Sequence, residues 1–299
     1  MIKSPDLLLT GIAPAIWGST YIVTTQWLPD GYPLTISLLR ALPAGIILIL
    51  VLRRFPEVRW LPKLFLLALL NFTLFWALLF VAAYRLPGGV AATLGATQPL
   101  IVLFLARAVI GTPVRPLGVA AALGGLAGVG LLLISSAIAL DPLGVAAALG
   151  GALSMACGTV LTRKWQWPVS PLTLTAWQLT AGGIVLAPFA LVLEPGFPLP
   201  DMKAFAGLVW LGLIGAALTY YLWFRGIARI GPARAALLGF LSPLSAVLLG
   251  WGILGEALTP VQIGGAVLVL ASLWVGQRAS RPSPKFIQAP EAQIKTPAE

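Results

Sequence analysis

Residues 91–100 read AATLGATQPL and residues 235–244 read AALLGFLSPL, one motif written twice 144 positions apart. The register holds without a gap on both sides. Phe80 matches Phe224, Arg85 matches Arg229, Leu105 matches Leu249, Gly111 matches Gly255 and Pro116 matches Pro260. An earlier stretch repeats as well, PLTISLLRALPAGIIL at 33–48 against PLTLTAWQLTAGGIVL at 171–186. The loop after the first copy carries Arg107 and Arg115, whereas the matching loop after the second carries only Glu256. A duplication whose flanking charge changes sign is expected of two copies inserted upside down in a membrane.

The composition agrees with a bilayer as solvent. Hydrophobic residues make up 59% of the chain and charged residues 9%, where a soluble domain carries about 25% charged residues. Prolines at 33, 62, 87, 116, 142, 171, 200, 232 and 260 mark the starts of apolar blocks, since proline is tolerated in a first helical turn and continues a helix badly. They predict an all-α integral membrane protein with ten transmembrane helices near 7–27, 34–52, 63–83, 89–107, 117–135, 142–162, 171–193, 203–224, 232–252 and 260–277. Most of these blocks approach the roughly 20 residues needed to cross about 30 Å of hydrocarbon. The first lacks a short apolar core with a small-residue cleavage site, which predicts a retained helix and no signal peptide. Residues 1–140 then form a first five-helix repeat and 141–277 a second, inverted one. The polar, proline-rich stretch 278–299 has no helical period and is expected to be a disordered tail.

Lysine and arginine set the orientation. With the N-terminus inside, sixteen of them fall in inner segments and two, Arg85 and Lys203, in outer loops, while Arg40 lies within a helix. This bias places both termini in the cytoplasm. The net charge of +10 is accounted for by topology, so no nucleic-acid partner is expected. One cysteine, Cys157, and no histidine leave no internal disulfide and no zinc cluster to expect. No G-x-x-x-x-G-K-[ST] run occurs, which argues against direct ATP drive. No nucleophile stands with a base, so no cofactor and no enzymatic activity are expected.

Two prolines are the mechanistic lead. Pro99 and Pro243 fall near the middle of the fourth and ninth helices, each removing the bond to the carbonyl four residues earlier, at Gly95 and Gly239. Freed carbonyls inside a bilayer must be buried in protein or face water. Gln98 and Ser242 precede the two prolines and offer polar side chains there. The kinks can equally serve packing alone. The third helix carries Asn71, Phe75 and Trp76 where the eighth carries Gly215, Thr219 and Tyr220. Asn71 points inward, to a solute or to another helix. Trp17, Trp76, Trp177, Tyr220 and Tyr221 are candidate cavity walls, whereas Trp27, Trp60, Trp165, Trp167 and Trp274 fit an interfacial belt. Arg40, matched by Gln178, attracts a carboxylate, braces an outer gate, or snorkels to the headgroups. Gly124, Gly128, Gly264 and Gly265 mark close helix contacts, within one chain or between two. No acid or histidine lies deep in a helix, so a neutral-lined path with weak or absent proton coupling is expected.

Trp17-Gly18-Ser19, Arg40, Gln98-Pro99-Leu100, and Gly255-Glu256 followed by Pro260 and Gly264-Gly265, in this order and with the duplication, resemble the EamA type of the drug/metabolite transporter superfamily. Cys157-Gly158-Thr159 and Gln178 depart from the pattern in the second half, so a fully symmetric site is not implied. The resemblance implies export of small metabolites, amino acids foremost, by alternating access around a central cavity. Trp17, Asn71, Trp76, Gln98, Tyr220 and Ser242 are then substrate-binding candidates, and Gly95, Pro99, Gly239, Pro243 and Arg40 hinge or gate candidates. The partners to expect are a small-molecule substrate and membrane lipid, with the chain a monomer or weak homodimer. Drugs, sugars or lipid-linked metabolites are the alternative cargo, and a non-transporting membrane receptor or scaffold the remaining reading.

Overall fold

The computed structural model describes residues 4–86, 88–133 and 141–279. Pro87, the end of the expected fifth helix and the tail from residue 280 lie outside the described residues. The described chain is helical throughout, in ten rods: α1 Pro5–Trp27, α2 Pro33–Leu52, α3 Val58–Ala82, α4 Val90–Ile110, α5 Pro116–Leu132, α6 Pro142–Lys164, α7 Pro171–Leu193, α8 Met202–Ile230, α9 Pro232–Leu254 and α10 Pro260–Ala279. Among the described residues nine of these are long and apolar enough to cross a membrane, and α5, with 17 residues, is shorter. The chain is a multi-pass membrane protein.

The starts are set by the expected chemistry. Proline occupies the first or second position of α2, α5, α6, α7 and α9. Asp141, Ser170 and Asp201 cap α6, α7 and α8 by accepting backbone N–H groups. The Gly144 N–H, joined by the Arg85 guanidinium and the Leu143 N–H, holds the Asp141 carboxyl below the usual carboxylate range against the opposing effect of desolvation. Glu194 caps a different helix from its own: its two oxygens accept from the N–H groups of Leu34 and Thr35 at 2.8 and 2.7 Å, tying the end of α7 to the start of α2.

Packing crosses between the halves. α2 lies along α7, α5 along α10, α3 along α6, α1 along α8, and α4 and α9 touch α6 and α1 respectively. Advance each helix number by five, counting around ten, and this set of pairs returns to itself. The α5–α10 contact shows what the small residues do. A methyl built on Gly128 meets the Val269 amide nitrogen at 2.9 Å and the Gly265 carbonyl at 3.0 Å, so two backbones meet there within one chain. Gly264 departs from the expectation: nothing lies within 4 Å of a methyl placed on it, because it sits one position around the helix from the contact.

Among the described residues five rods are not regular α-helices. α1 breaks at Gly18. α4 is built of two helices, Gly88–Gly95, which starts two residues ahead of the apolar span, and Gln98–Ile110, and α9 of Pro232–Leu238 and Leu241–Leu254, parted at the two repeated prolines. The expected free carbonyl needs correction at one of them. The Ser242 N–H reaches the Gly239 carbonyl at 3.0 Å, and the Gly239 and Phe240 N–H groups bond three residues back. The turn tightens toward 3₁₀ geometry and absorbs the acceptor that Pro243 cannot serve. π-helical segments, which the sequence did not announce, occur at Leu69–Thr73 in α3 and Trp210–Leu218 in α8. Moved by 144 positions, 69–73 becomes 213–217, inside the second segment.

Replacing Gly128 by Leu should therefore cost about 1–3 kcal/mol, since the neighbouring backbone cannot retreat. Gly264→Leu should be neutral. Thermal unfolding of the purified variants in detergent checks the contrast, and equal melting temperatures would contradict the packing.

Candidate functional site

The broken helix α1 and the two helices with π segments, α3 and α8, contribute a row of aromatic rings. Phe72 and Trp76 stand one turn apart on α3, with centroids 5.3 Å apart edge to face. Tyr220 of α8 lies 4.4 Å from Phe72 and 5.8 Å from Phe224. Trp17 of α1 closes on Tyr220 at 5.2 Å and Trp223 at 5.1 Å, and its indole N–H donates to the Thr219 hydroxyl at 2.9 Å. At the other end the Arg40 guanidinium of α2 covers the Trp76 ring at 4.7 Å. Spacing of three and four residues on a helix puts Tyr220, Trp223 and Phe224 on one face. That spacing is readable, yet it does not mark Phe72, Trp223 and Phe224 as site residues, because aromatics in apolar helices are usually lipid-facing or core.

Arg40 does not snorkel. It is 8% exposed, and an Nη2–H donates to the Gly215 carbonyl at 3.1 Å. Gly215 belongs to the π segment of α8, where the changed backbone register offers carbonyls to side chains; the Thr219 hydroxyl also donates to it, at 2.8 Å. The π segment of α3 does the same, its Leu70 carbonyl accepting from Ser154 of α6 at 2.8 Å.

Asn71 takes the interhelical course of the two open to it. Its Nδ2 donates to Gln178 Oε1 of α7 at 2.8 Å, and both residues are 0% exposed. A side chain on Gly158 would collide with Asn71, so the glycine of Cys157-Gly158-Thr159 is the seat into which this amide fits. Asn71 Oδ1 and Gln178 Nε2 remain without partners. Gln98 and Ser242 are half-buried at the breaks of α4 and α9, and Gln98 Nε2 is buried without a partner. They stand on helices other than those of the aromatic row. At Gly95 a methyl would meet nothing within 4 Å, whereas at Gly239 it would meet the Ala236 carbonyl, so the two breaks are alike in backbone and unlike in surroundings.

Other candidates fall elsewhere. Trp177 donates to the Arg54 carbonyl at 2.8 Å, outside the row. Trp60 and Trp167 pack at 4.9 Å with Lys63 over Trp60 and Trp165 at 5.1 and 5.6 Å, a helix-end cluster fitting the belt. At the middle of the row the rings fill the space themselves: Trp76 and Tyr220 are each 3% exposed. An open cavity of about 450 Å³ lies instead at the α6–α7 turn, lined by Thr162, Arg163, Trp167, Leu174 and Phe224. Phe224 thus links it to the row. Asp6 of α1 and Arg225 of α8 form an ion pair at 2.6 Å.

Comparison with known proteins gives a consistent set. The model of the EamA-like transporter family matches residues 5–134 and again 142–275. Protein PecM of Dickeya dadantii (strain 3937) is 44% identical over 90% of this chain and 91% of its own. The uncharacterized inner membrane transporter YedA of Escherichia coli (strain K12) is 31% identical over 87% of each. A probable terminal-alkyne amino-acid exporter of Streptantibioticus cattleyicolor is 24% identical over 88% of this chain and 90% of its own. A solved protein structure superposes with a TM-score of 0.80 over 94% of this chain and 100% of that one, at 20% identity, which speaks to the fold alone.

The amide clasp predicts a definite pattern. Asn71→Leu and Gln178→Leu should each cost about 1–3 kcal/mol, because each leaves a buried amide alone. The double variant should cost clearly less than their sum. Strict additivity in thermal melts would mean the two side chains are not coupled.

Proposed function

The chain belongs to the EamA-like transporter family, and from that premise we propose that it exports small metabolites, neutral or aromatic amino acids foremost, across the inner membrane by alternating access. The observation that carries this reading is the aromatic row, which joins helices of both halves where α1 and α8 lose regular hydrogen bonding. A zwitterion with an apolar side chain finds stacking faces on Trp17, Trp76 and Tyr220 and partial charges on Gln98 and Ser242. Asn71 holds the wall in place through Gln178 and does not itself meet the cargo.

In this reading residues 1–140 and 141–277 are antiparallel five-helix units with both termini in the cytoplasm. The contact pattern that survives a five-helix shift supports it, as does the family model matching twice. The pairs at Gly95/Pro99 and Gly239/Pro243 act as hinges. The cavity at the α6–α7 turn is the cytoplasmic mouth, and the Asp6–Arg225 pair joins helices of opposite units. The exporter and inner-membrane transporter among the relatives support the direction and the membrane. Phosphate-bearing cargo is disfavoured, since the row offers one cation, Arg40.

Chemistry follows from what surrounds the row. No acid stands among the residues that form it, so solute flux runs down the solute's own gradient, without a proton relay. Purified protein in liposomes should move radiolabelled neutral or aromatic amino acids, and an imposed pH gradient should leave the rate essentially unchanged. Strong acceleration by the gradient would overturn uncoupled transport, and no movement of any amino acid would overturn the cargo. Pro243→Ala should slow transport several-fold with expression intact, and Gln98→Leu with Ser242→Ala should weaken apparent affinity. Unaltered kinetics in all three would reduce those positions to packing.

A further inference from the structure

A guanidinium inside a bilayer needs either an anion or full hydrogen-bond compensation, because a lone buried charge is strongly unfavourable. Arg40 has neither. Its cation rests on the Trp76 face and one N–H reaches the Gly215 carbonyl, but its Nε–H is buried with no acceptor. Acids that could neutralise it are committed elsewhere: Asp6 to Arg225, Asp141 to Arg85, Glu57 to Arg59, and Glu194 to the backbone of Leu34 and Thr35. Among the described residues no acidic side chain pairs with Arg40. Nor does the architecture demand a cation at this place. The matching position in the other half holds Gln178, which is closed by the Asn71 amide.

We infer that Arg40 is the docking point for a carboxylate on the transported solute, with the rings of Phe72, Trp76 and Tyr220 packing its apolar part. This rests on the export reading and names the charge of its cargo. An arginine fork grips a carboxylate through two parallel N–H groups, and here one of them, on Nε, is unoccupied. Trp76 fixes the plane of the fork from one side, so the approach is restricted to its edge. Between cargoes the Gly215 carbonyl holds the guanidinium in place. A singly charged group balances one cation and leaves the site neutral, whereas a dianion overmatches it. Phe72 and Tyr220, 4.4 Å apart and buried in this state, lie beyond the charge and part to admit the cargo, which sets the order of the ligand: carboxylate first, ring or apolar chain behind it.

The test compares L-tryptophan with tryptamine, its decarboxylated amine, as probes of the full chain in proteoliposomes. Wild-type protein should take up L-tryptophan, and tryptamine should compete at least tenfold more weakly. Arg40→Gln, which copies the residue of the other half, should raise the apparent KM for L-tryptophan at least tenfold and erase the preference. Arg40→Lys, which keeps the charge, should retain the preference with weaker binding, and it serves as the readout if Arg40→Gln does not fold. A purely structural Arg40 would change total uptake and leave the ratio of the two probes alone. Equal handling of both probes by wild type, or an intact preference in Arg40→Gln, overturns the assignment and leaves the export reading standing. Movement of neither probe while other amino acids cross also overturns it, and movement of no amino acid at all removes the export of amino acids itself.

Discussion

Inside hydrocarbon every backbone N–H and carbonyl must find its partner within the protein, and at three departures from the α-helix this chain supplies one. At the break in α9 the Ser242 N–H turns back to Gly239. At the π segments of α3 and α8, Ser154 and Arg40 reach across from other helices to the displaced carbonyls. The two π segments are therefore also places where helices are fastened together. A charge, an aromatic row and two amides are positioned as a consequence.

That constraint explains the division of labour between the two halves. Position 40 and position 178 occupy matching sites in the duplication, yet one carries a cation and the other an amide. The amide is consumed by Asn71, a residue of the same π segment that precedes Trp76. Arg40 is stacked on that same Trp76. One side of α3 is thus locked to α7 by a neutral pair, and another is presented to α2 with a charge and a ring. An interhelical amide pair in a membrane contributes on the order of 1 kcal/mol, and a desolvated cation over an indole about 2 kcal/mol, so neither contact alone dominates the packing.

Much of this was legible in the residues. Prolines 33, 116, 142, 171, 232 and 260 do begin helices, and the kinks at Pro99 and Pro243 lie where the repeat put them. The π segments were not legible, because a single extra residue in a helix leaves no compositional trace in an apolar run. The break at Gly18 was hidden too, since an isolated glycine inside a helical pattern is ordinarily tolerated. Arg40 could not be placed from its depth alone: a long side chain about 10 Å from a helix end can reach headgroups or stay inside, and only the Gly215 carbonyl decides. Asn71 was correctly inward, while its partner lay 107 residues away and had no local signal. Phe72 and Phe224 illustrate the general difficulty, since an aromatic ring in a hydrophobic helix looks the same whether it lines a path or meets lipid.

The halves can be antiparallel only if matching loops lie on opposite faces of the membrane. Single cysteines at Pro113 and Glu256, both exposed, introduced in a Cys157→Ala background, can be treated in intact cells with a membrane-impermeant thiol reagent. The account predicts rapid labelling at 256 and none at 113 until the cells are opened. Labelling of both from the same side would contradict it.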